Sequence, residues 1–356
     1  MMSDQTPVFD IAPSSFQKNP ERPSSLTVPR VLILGAGGFI GRQICLTLAD
    51  HGSAVPIAVV RRPLQDLADR DIEQRLLDAT DVTALRDACR DVQVVVFSLA
   101  GAPAVMKAAL SALRDVVGSH DQAMRVVYLS SLSVYGDQTG QLDENAPLLG
   151  SSPYALDKIA GEQVVQQFDD WLILRPGIVF GPGSPTWAHF LGELLLTGRM
   201  GLPVAGLQAP CNLVAVQDLA ACVLACVQQP ERKATILNVR APWPTSAFDG
   251  QVFTWADFFA AYASALGLPA PRPRGFWWNL WHQRLEGPGR MVLHKLLAPQ
   301  SPPPAVIRPW LVKQCAQGPE MKIDRLNDLF AIPWTPVAQI LQDCVRALRH
   351  HNLRPK

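Results

Sequence analysis

The feature that most constrains this chain is an apolar run that ends abruptly in glycines. The stretch VLILGAGGFIG, residues 31–41, places four apolar residues before the glycines and opens a helix-like pattern within them. Gly35, Gly38 and Gly41 are spaced three residues apart. One glycine permits a tight turn, another lets the backbone approach a pyrophosphate, and the last lets the helix pack closely on the sheet. The junction therefore predicts a strand, a turn and a helix whose N-terminus faces the phosphates of a dinucleotide.

Short apolar runs alternate with helix-like segments from Arg30 to about residue 181. Near-continuous β-branched runs of this length are typical of strands buried on both faces of a parallel sheet. The pattern predicts an α/β fold, a Rossmann-type doubly wound parallel sheet. The predicted strands lie in VLIL (31–34), VPIAVV (55–60), VQVVVFSLA (92–100), RVVYLSS (125–131), WLILRPGIVF (171–180), NLVAV (212–216) and ILNV (236–239).

The pattern changes beyond about residue 182, where proline becomes frequent and segments such as TWADFFAAYASAL (254–266) have helical periodicity. We expect residues 30–181 and 212–240 to form the NAD(P)-binding Rossmann domain. Residues 182–211 and 241–350 are expected to form a smaller, interleaved C-terminal substrate domain. Residues 1–29 are rich in Ser, Pro and charge, which predicts a disordered leader.

Charge and cysteine content exclude several classes of protein. The 356 residues carry 32 basic and 31 acidic side chains, so electrostatics provides no reason to expect nucleic acid as a partner. The seven cysteines are odd in number and scattered, which favours reduced thiols in a cytoplasmic protein. Cys222 and Cys226 lie four residues apart, but no His or further Cys accompanies them, and no metal site is expected. No run of 18 apolar residues occurs, so we expect no membrane span. The expected partner is a small-molecule substrate.

The end of the second predicted strand bears on the choice of cofactor. Sites for NAD place Asp or Glu about 20 residues past the glycines, whereas here the sequence AVVRRP supplies Arg61 and Arg62. Guanidinium groups suit a 2′-phosphate, so we expect NADP to be preferred over NAD, unless these arginines simply solvate a loop. Asp78 is expected either at the adenine edge or as a helix N-cap, a role for which Thr80 and Asp81 compete.

Three side chains form a candidate catalytic set. Tyr154 and Lys158 are four residues apart in SPYALDKIAGE, so on a helix they share one face about 6 Å apart along the axis. A tyrosine with its ordinary pKa of about 10 is a poor proton carrier. A neighbouring ammonium would lower that pKa, so Lys158 is the expected activator of Tyr154. Ser131 follows a predicted strand, where its hydroxyl could bind the same substrate oxygen.

Five motifs occur in the order typical of one family: GAGGFIG (35–41), SSLSVYGD (130–137), YALDK (154–158), LRPGIVFGPG (174–183) and NLVAVQDLA (212–220). With them the chain resembles the extended branch of the short-chain dehydrogenase/reductase family, which includes NAD-dependent epimerases and dehydratases. The resemblance implies Tyr154 as catalytic acid/base, Lys158 as its activator and a contact to the nicotinamide ribose, and Ser131 as the hydroxyl that orients the substrate. It also implies a possible homodimer paired through the helix that carries Tyr154.

The expected cofactor-binding residues follow from these motifs and from the strand ends. Besides Arg61, Arg62 and Asp78 they are Gly35, Gly38, Phe39, Ile40, Gly41, Leu99, Ala100, Lys158, Pro176, Gly177 and Val179. Ser133 and Asn212 are the candidates for substrate contact.

Two departures from the family pattern concern the substrate. Many sugar-nucleotide enzymes of this group carry a long loop after the fourth strand, whereas here FSLAGAPAVMKAAL runs almost directly into a helix. Those enzymes also commonly grip a diphosphate with the arginine of R-D-F-x-H-V-x-D. The corresponding stretch here is CNLVAVQD, in which Cys211 and Asn212 replace Arg and Asp. A neutral thiol cannot neutralise a diphosphate.

We therefore expect an NAD(P)-dependent oxidoreductase or epimerase that transfers hydride at a carbon bearing a hydroxyl or keto group. One alternative is a nucleotide-sugar epimerase or dehydratase, and another is a non-catalytic NADP-binding sensor. The tryptophan-rich segment GFWWNLWHQRL (275–285) is open to three interpretations: packing in the small domain, a lid over an apolar substrate, or contact with a membrane surface.

Overall fold

The computed structural model describes residues 28–120, 123–197, 207–230, 234–242, 252–271 and 318–352, and the isolated positions 289, 292–293, 296, 311 and 314–315. Seven parallel strands form the central sheet, in the order β10-β7-β5-β4-β1-β2-β3. The strands of the chain are β1 Arg30–Leu34, β2 Val55–Val60, β3 Glu73–Leu76, β4 Val94–Phe97, β5 Arg125–Leu129, β6 Gly140–Leu142, β7 Trp171–Pro176, β8 Ile178–Phe180, β9 Leu213–Ala215, β10 Thr235–Val239 and β11 Pro319–Met321. The predicted Rossmann-type fold is confirmed.

Helices cover both faces of the sheet and continue into the C-terminal part of the chain. They are α1 Phe39–His51, α2 Gln65–Ala68, α3 Val82–Ala88, α4 Pro103–Val117, α5 Pro153–Val165, α6 Phe190–Leu196, α7 Val216–Gln228, α8 Trp255–Ala265, α9 Asp324–Leu329 and α10 Val337–Asn352. A 3₁₀ turn spans Leu132–Tyr135 and a π-helical turn spans Pro185–His189.

The central strands are buried on both faces, as their apolar sequences predict. Along β1, Val31 and Ile33 enter one core with α1 and α7, while Leu32 and Leu34 enter the opposite core with α3 and α4. Because successive side chains of a strand point to opposite faces, an unbroken apolar run places apolar side chains in the cores on both faces of the sheet.

The run 171–180, predicted as one strand, divides at Gly177. Strand β7 stays in the central sheet, whereas β8 pairs in parallel with β9 as a separate two-stranded sheet. The Gly177 N–H donates to the Val239 carbonyl at 2.9 Å, and the next N–H, of Ile178, donates to the Asn212 carbonyl at 2.7 Å. A Cβ on Gly177 would lie 1.9 Å from that Asn212 oxygen, so the crossing of the two segments requires glycine.

A third core lies beside the sheet and is built largely from the C-terminal part of the chain. Helix α8 buries Trp255, Phe258 and Phe259 in it, and confirms the helical pattern predicted for 254–266. A capping box between Thr254 and Asp257 starts that helix. The predicted domain boundaries stay predictions. The predicted leader (for residues 1–27) and the tryptophan-rich segment 275–285 fall outside the described residues.

All seven cysteines are buried and free of disulfides. Cys222 and Cys226 lie inside the core between α7 and the sheet, where burial raises their thiol pKa values. Within the described ranges, every helix is too short or too polar to cross a bilayer.

Candidate active site

A cleft of about 1560 Å³ runs along the carboxyl ends of the central strands. Ligands of open α/β sheets gather at this edge. The predicted site residues that line the cleft are Gly35, Gly38, Phe39, Ile40, Gly41, Arg61, Arg62, Asp78, Leu99, Ala100, Ser131, Ser133, Tyr154, Lys158, Pro176, Gly177 and Val179. Asn212 is outside this lining.

The glycine turn at the start of α1 has the geometry of a phosphate cradle. Gly35 adopts a φ of +92°, and its carbonyl accepts the Gly38 N–H at 3.0 Å. A Cβ on Gly41 would lie 2.2 Å from the Gly35 oxygen, so a side chain there would break the turn. Gly38 precedes α1 without a side-chain cap, which leaves backbone N–H groups of the first helical turn for a ligand. The pyrophosphate of a nicotinamide dinucleotide fits these residues.

At the end of β2, Arg61 and Arg62 are exposed and border the cleft with Asp78. Asp78 accepts hydrogen bonds from the Thr80 N–H and hydroxyl at 2.9 and 2.8 Å. These bonds, and then the charge of Arg61, lower the pKa of Asp78. Asp81, and not Asp78, caps α3, so the helix-cap interpretation of Asp78 is wrong. Its place at the adenine edge stays a prediction.

A third arginine, which is not among the residues predicted from the sequence, lies at this end of the cleft. Arg42 lines the cleft from α1 and forms an ion pair with Asp66 at 3.2 Å. Its position four residues beyond Gly38 was the available signal.

Ser131, Tyr154 and Lys158 come together where β5 meets α5. Ser131 caps the 3₁₀ turn by accepting the Ser133 N–H at 3.2 Å, and its side chain is hydrogen-bonded to Tyr154. Helix α5 begins after Ser152, whose hydroxyl accepts the Ala155 N–H at 3.1 Å. Tyr154 and Lys158 lie one turn apart on that helix, as predicted.

Lys158 is 4% exposed, and its ammonium donates to the Leu129 carbonyl at 2.7 Å. The ammonium lies between two aromatic rings, 5.2 Å from the centre of Tyr128 and 5.9 Å from the centre of Tyr154. Burial lowers the pKa of Lys158 to about 8, against the opposing charges of Asp157 and Glu162. The amine is therefore mostly protonated at neutral pH.

The acidity predicted for Tyr154 is not the one observed. The residue is 51% exposed, yet loss of water around its hydroxyl raises its pKa above the ordinary value, and the hydrogen bond to Ser131 only partly opposes this. Tyr154 is therefore protonated at neutral pH. The role of Lys158 as activator of Tyr154 stays a prediction, with its ammonium 5.9 Å from the centre of the Tyr154 ring and bonded to the Leu129 carbonyl.

A buried polar network behind the catalytic set was also missed. Glu162 and Arg175 are 1% and 2% exposed and pair at 2.7 Å between α5 and β7. Glu162 also accepts from the Ser130 hydroxyl, and Arg175 donates to the Tyr135 hydroxyl at 2.9 Å. The signal was available, since Glu162 follows Lys158 by the same four residues that separate Lys158 from Tyr154.

The two predicted substrate contacts differ in their placement. The Ser133 hydroxyl borders the cleft, and the described residues offer it no hydrogen-bond partner. Asn212 is 3% exposed, its amide donates to the Pro319 carbonyl at 2.7 Å, and its oxygen accepts the Met321 N–H at 2.9 Å. Asn212 therefore anchors β11 instead of facing the cleft.

Residues 31–239 match the NAD dependent epimerase/dehydratase family. The chain belongs to this family. The match spans the glycine turn, the catalytic set and β10, and it confirms the resemblance derived from the motifs.

Three curated relatives have different names. The uncharacterized UDP-glucose epimerase YtcB of Bacillus subtilis (strain 168) is 27% identical over 43% of this chain and 57% of its own length. D-erythronate dehydrogenase of Cupriavidus necator is 28% identical over 51% of this chain and 64% of its length. Ceramide reductase of Caulobacter vibrioides is 27% identical over 67% of this chain and 70% of its length. The first two matches thus span less than two thirds of those relatives.

Among solved structures, UDP-glucuronic acid 4-epimerase from Bacillus cereus in complex with NAD has a TM-score of 0.65 to this chain. The two are 16% identical, and the likeness covers 90% of this chain and 96% of that one. At this identity the likeness shows a shared fold.

Proposed function

We propose that this chain is an NAD(P)-dependent oxidoreductase or epimerase that acts at a carbon bearing a hydroxyl or keto group, with Tyr154 as the acid/base. The observation that carries the proposal is the placement of Ser131, Tyr154 and Lys158 together in the same cleft as the glycine turn. The family membership and the relatives named as epimerase, dehydrogenase and reductase support the same class of reaction.

A bound nicotinamide dinucleotide supplies or accepts the hydride. The Ser131 hydroxyl holds the substrate oxygen beside Tyr154, which gives its proton to that oxygen in reduction and takes one from it in oxidation. A raised pKa keeps Tyr154 protonated at neutral pH, which suits the reductive direction. The buried Lys158 ammonium stabilises the phenolate that remains after proton transfer.

Replacement of Tyr154 by Phe tests this assignment. We expect Tyr154→Phe to lower kcat about a hundredfold or more, because it removes the proton donor, while the Kd for the dinucleotide changes little. Turnover of secondary alcohols, ketones and UDP-sugars is measured spectroscopically and by product chromatography, and the Kd by calorimetry.

Tyr262→Phe is the matched control, since that hydroxyl is buried in the third core and donates to the Ala188 carbonyl at 2.9 Å. It should retain wild-type turnover. A non-catalytic sensor would bind the dinucleotide with no turnover in any variant, and Tyr154→Phe at wild-type rate would contradict the assignment.

We also propose that the preferred dinucleotide is NADP. Arg61 and Arg62 directly follow β2 and border the cleft, where guanidinium groups can pair with a 2′-phosphate. Asp78 at the same end already accepts two hydrogen bonds from Thr80.

Arg61→Ala should raise the Kd for NADPH about tenfold to a hundredfold, the usual effect of a lost charge-assisted hydrogen bond, and change the Kd for NADH far less. Arg90→Ala is the charge-matched control, because Arg90 is exposed and paired with Asp87 outside the cleft. Equal losses for the two dinucleotides would refute the preference for NADP.

A homodimer through α5 stays a prediction. Leu156 is an exposed apolar side chain on α5, which favours pairing through this helix.

A further inference from the structure

The aromatic ring of Tyr128 faces the ammonium of Lys158 from the core of the sheet. Tyr128 is the fourth residue of β5 and is fully buried. Its ring centre lies 5.2 Å from the Lys158 Nζ, and the Tyr154 ring centre lies 5.9 Å from the same atom. Both distances fall within about 6 Å, the range over which the electron-rich face of an aromatic ring attracts a cation. The ammonium therefore contacts one ring of the candidate catalytic set and one ring outside it.

Two neighbours fix the position of the Tyr128 ring. It packs against Phe97 of β4, with the ring centres 5.5 Å apart. It also reaches α5 at Gly161, where an added Cβ would lie 2.0 Å from the Tyr128 hydroxyl oxygen and 2.5 Å from the carbon that bears it. Glycine at position 161 therefore lets the ring lie against the helix, about one turn beyond Lys158. A ring packed this closely keeps one orientation.

The contact with the ring is strengthened by the burial of the ammonium. Lys158 is 4% exposed, and its ammonium donates to the Leu129 carbonyl at 2.7 Å. Burial lowers the pKa of Lys158 to about 8, because the charged form has lost most of its water. The attraction between a cation and a ring is stronger at such a desolvated site than at an exposed one. The Tyr128 ring therefore stabilises the charged form of Lys158 where water cannot.

The elements packed around Lys158 carry further charged side chains. On α5, the charges of Asp157 and Glu162 raise the pKa of Lys158 and so oppose the effect of burial. Glu162 is itself paired with Arg175 of β7 at 2.7 Å, so part of its charge is already neutralised. The charged side chains of α4, which packs on α5, are exposed to solvent: Lys107, Arg114 and Asp115. The contribution of β5 is the ring of Tyr128.

We propose that Tyr128 is a positioning residue of this active site, whose ring face holds the Lys158 ammonium charged and beside Tyr154. The inference rests on the proposed function. When a carbonyl is reduced, its carbon gains a hydride from the reduced dinucleotide and its oxygen gains the Tyr154 proton. The O–H bond of Tyr154 breaks, and the phenolate that remains lies beside the ammonium that Tyr128 holds. The dinucleotide leaves oxidised, and Tyr154, which is 51% exposed, regains a proton from water.

Fluorinated phenylalanines at position 128 test this role. With Tyr128→Phe as the reference, rings that carry one, two and three fluorines lose electron density from their faces and attract a cation less, with little change in size. The pKa of Lys158 should fall along this series, by about one unit in total, because the charged form loses stabilisation. It is measured without substrate or dinucleotide from the NMR signal of the ¹³C-labelled lysine side chain, which Lys158→Met identifies by its disappearance.

The pH profile of catalysis should follow the same series. For the ketone, alcohol or UDP-sugar that the wild type turns over, kcat should decline as rising pH removes the Lys158 proton, since a neutral amine does not stabilise the phenolate. In the fluorinated variants this decline should move to lower pH by the same amount as the pKa, about one unit. A purely structural role for Tyr128 would change the melting temperature and leave this pH profile unchanged.

Phe97 provides the matched control, because its ring packs against Tyr128 in the same core. The same fluorines at position 97 should leave the pKa of Lys158 and the pH profile unchanged. An unchanged pKa along the series at position 128, or an equal fall at position 97, would overturn this inference alone. A falling pKa that the pH profile of kcat does not follow would also overturn it. A wild type that binds the dinucleotide and turns over none of these compounds would overturn the proposed function, and this inference with it.

Discussion

At the scale of single residues, Lys158 shows how a charged ammonium group is stabilised at a buried position. Its ammonium makes one strong hydrogen bond, to Leu129, and two ring contacts, to Tyr128 and Tyr154. These contacts replace water incompletely, which is why the pKa falls from 10.5 to about 8. The residue types and the spacing of the pair could be read from the sequence, but the direction of this pKa shift could not.

This shift makes stability depend on pH. Because the folded-state pKa of Lys158 is depressed, the unfolded chain binds more protons between pH 8 and 10.5, and stability should rise with pH through that window. The full effect is about 3 kcal/mol. Urea unfolding of the wild type and of Lys158→Met at pH 7.5 and at pH 10 measures this effect. The difference in unfolding free energy between the two proteins is compared at the two pH values, so that the contributions of other titrating groups cancel. A difference that does not change with pH would place the pKa of Lys158 near its ordinary value.

At the scale of elements, α5 is held against β7 by the buried pair of Glu162 and Arg175. Three further contacts complete the arrangement: Ser130 donates to Glu162, and Arg175 donates to Tyr135 and to the Glu144 carbonyl. Since Ser130 precedes Ser131 and Glu162 lies one turn beyond Lys158, the pair joins the two segments that carry the candidate catalytic residues.

Removal of one partner of the Glu162–Arg175 pair should lower the free energy of unfolding more than removal of both partners. We expect Glu162→Leu to lower the free energy of unfolding by about 3–5 kcal/mol, because it leaves a buried guanidinium without a counterion. The double variant Glu162→Leu, Arg175→Met should recover a large part of that loss. Denaturant titrations of the single and double variants measure this. Loss of the exposed ion pair Arg90–Asp87 serves as the control and should lower the free energy of unfolding by less than about 1 kcal/mol. Additive losses at positions 162 and 175 would show that the two side chains do not interact.

The elements also show where sequence patterns fail. Strand β3 lies at the edge of the sheet and has the polar sequence EQRL, so no apolar run in the sequence indicates a strand there. Strands β6 and β11 have three residues each and pair across 179 positions, which no local pattern can indicate. The division of 171–180 at Gly177 depends on the Asn212 carbonyl, a contact from a distant segment.

At the scale of the whole molecule, one core on each face of the sheet and a third core beside it meet along the cleft. The sheet and its glycine turn line one part of the cleft, while the 3₁₀ turn, the π-helical turn and β11 line another. Asn212 and Asn238 link these parts: Asn212 binds the backbone of Pro319 and Met321, and Asn238 donates to the Lys322 carbonyl at 3.1 Å.

The sequence by itself determined the central strands of the parallel sheet and the glycine turn that starts α1, because apolar runs and glycine spacing are local patterns. Periodicity and local spacing carry that information completely. Tertiary structure decided the acidity of Tyr154 and Lys158 and the structural use of Asn212. The two pKa shifts depend on desolvation, and the use of Asn212 depends on a contact with a segment 107 positions away, so neither leaves a local pattern in the chain.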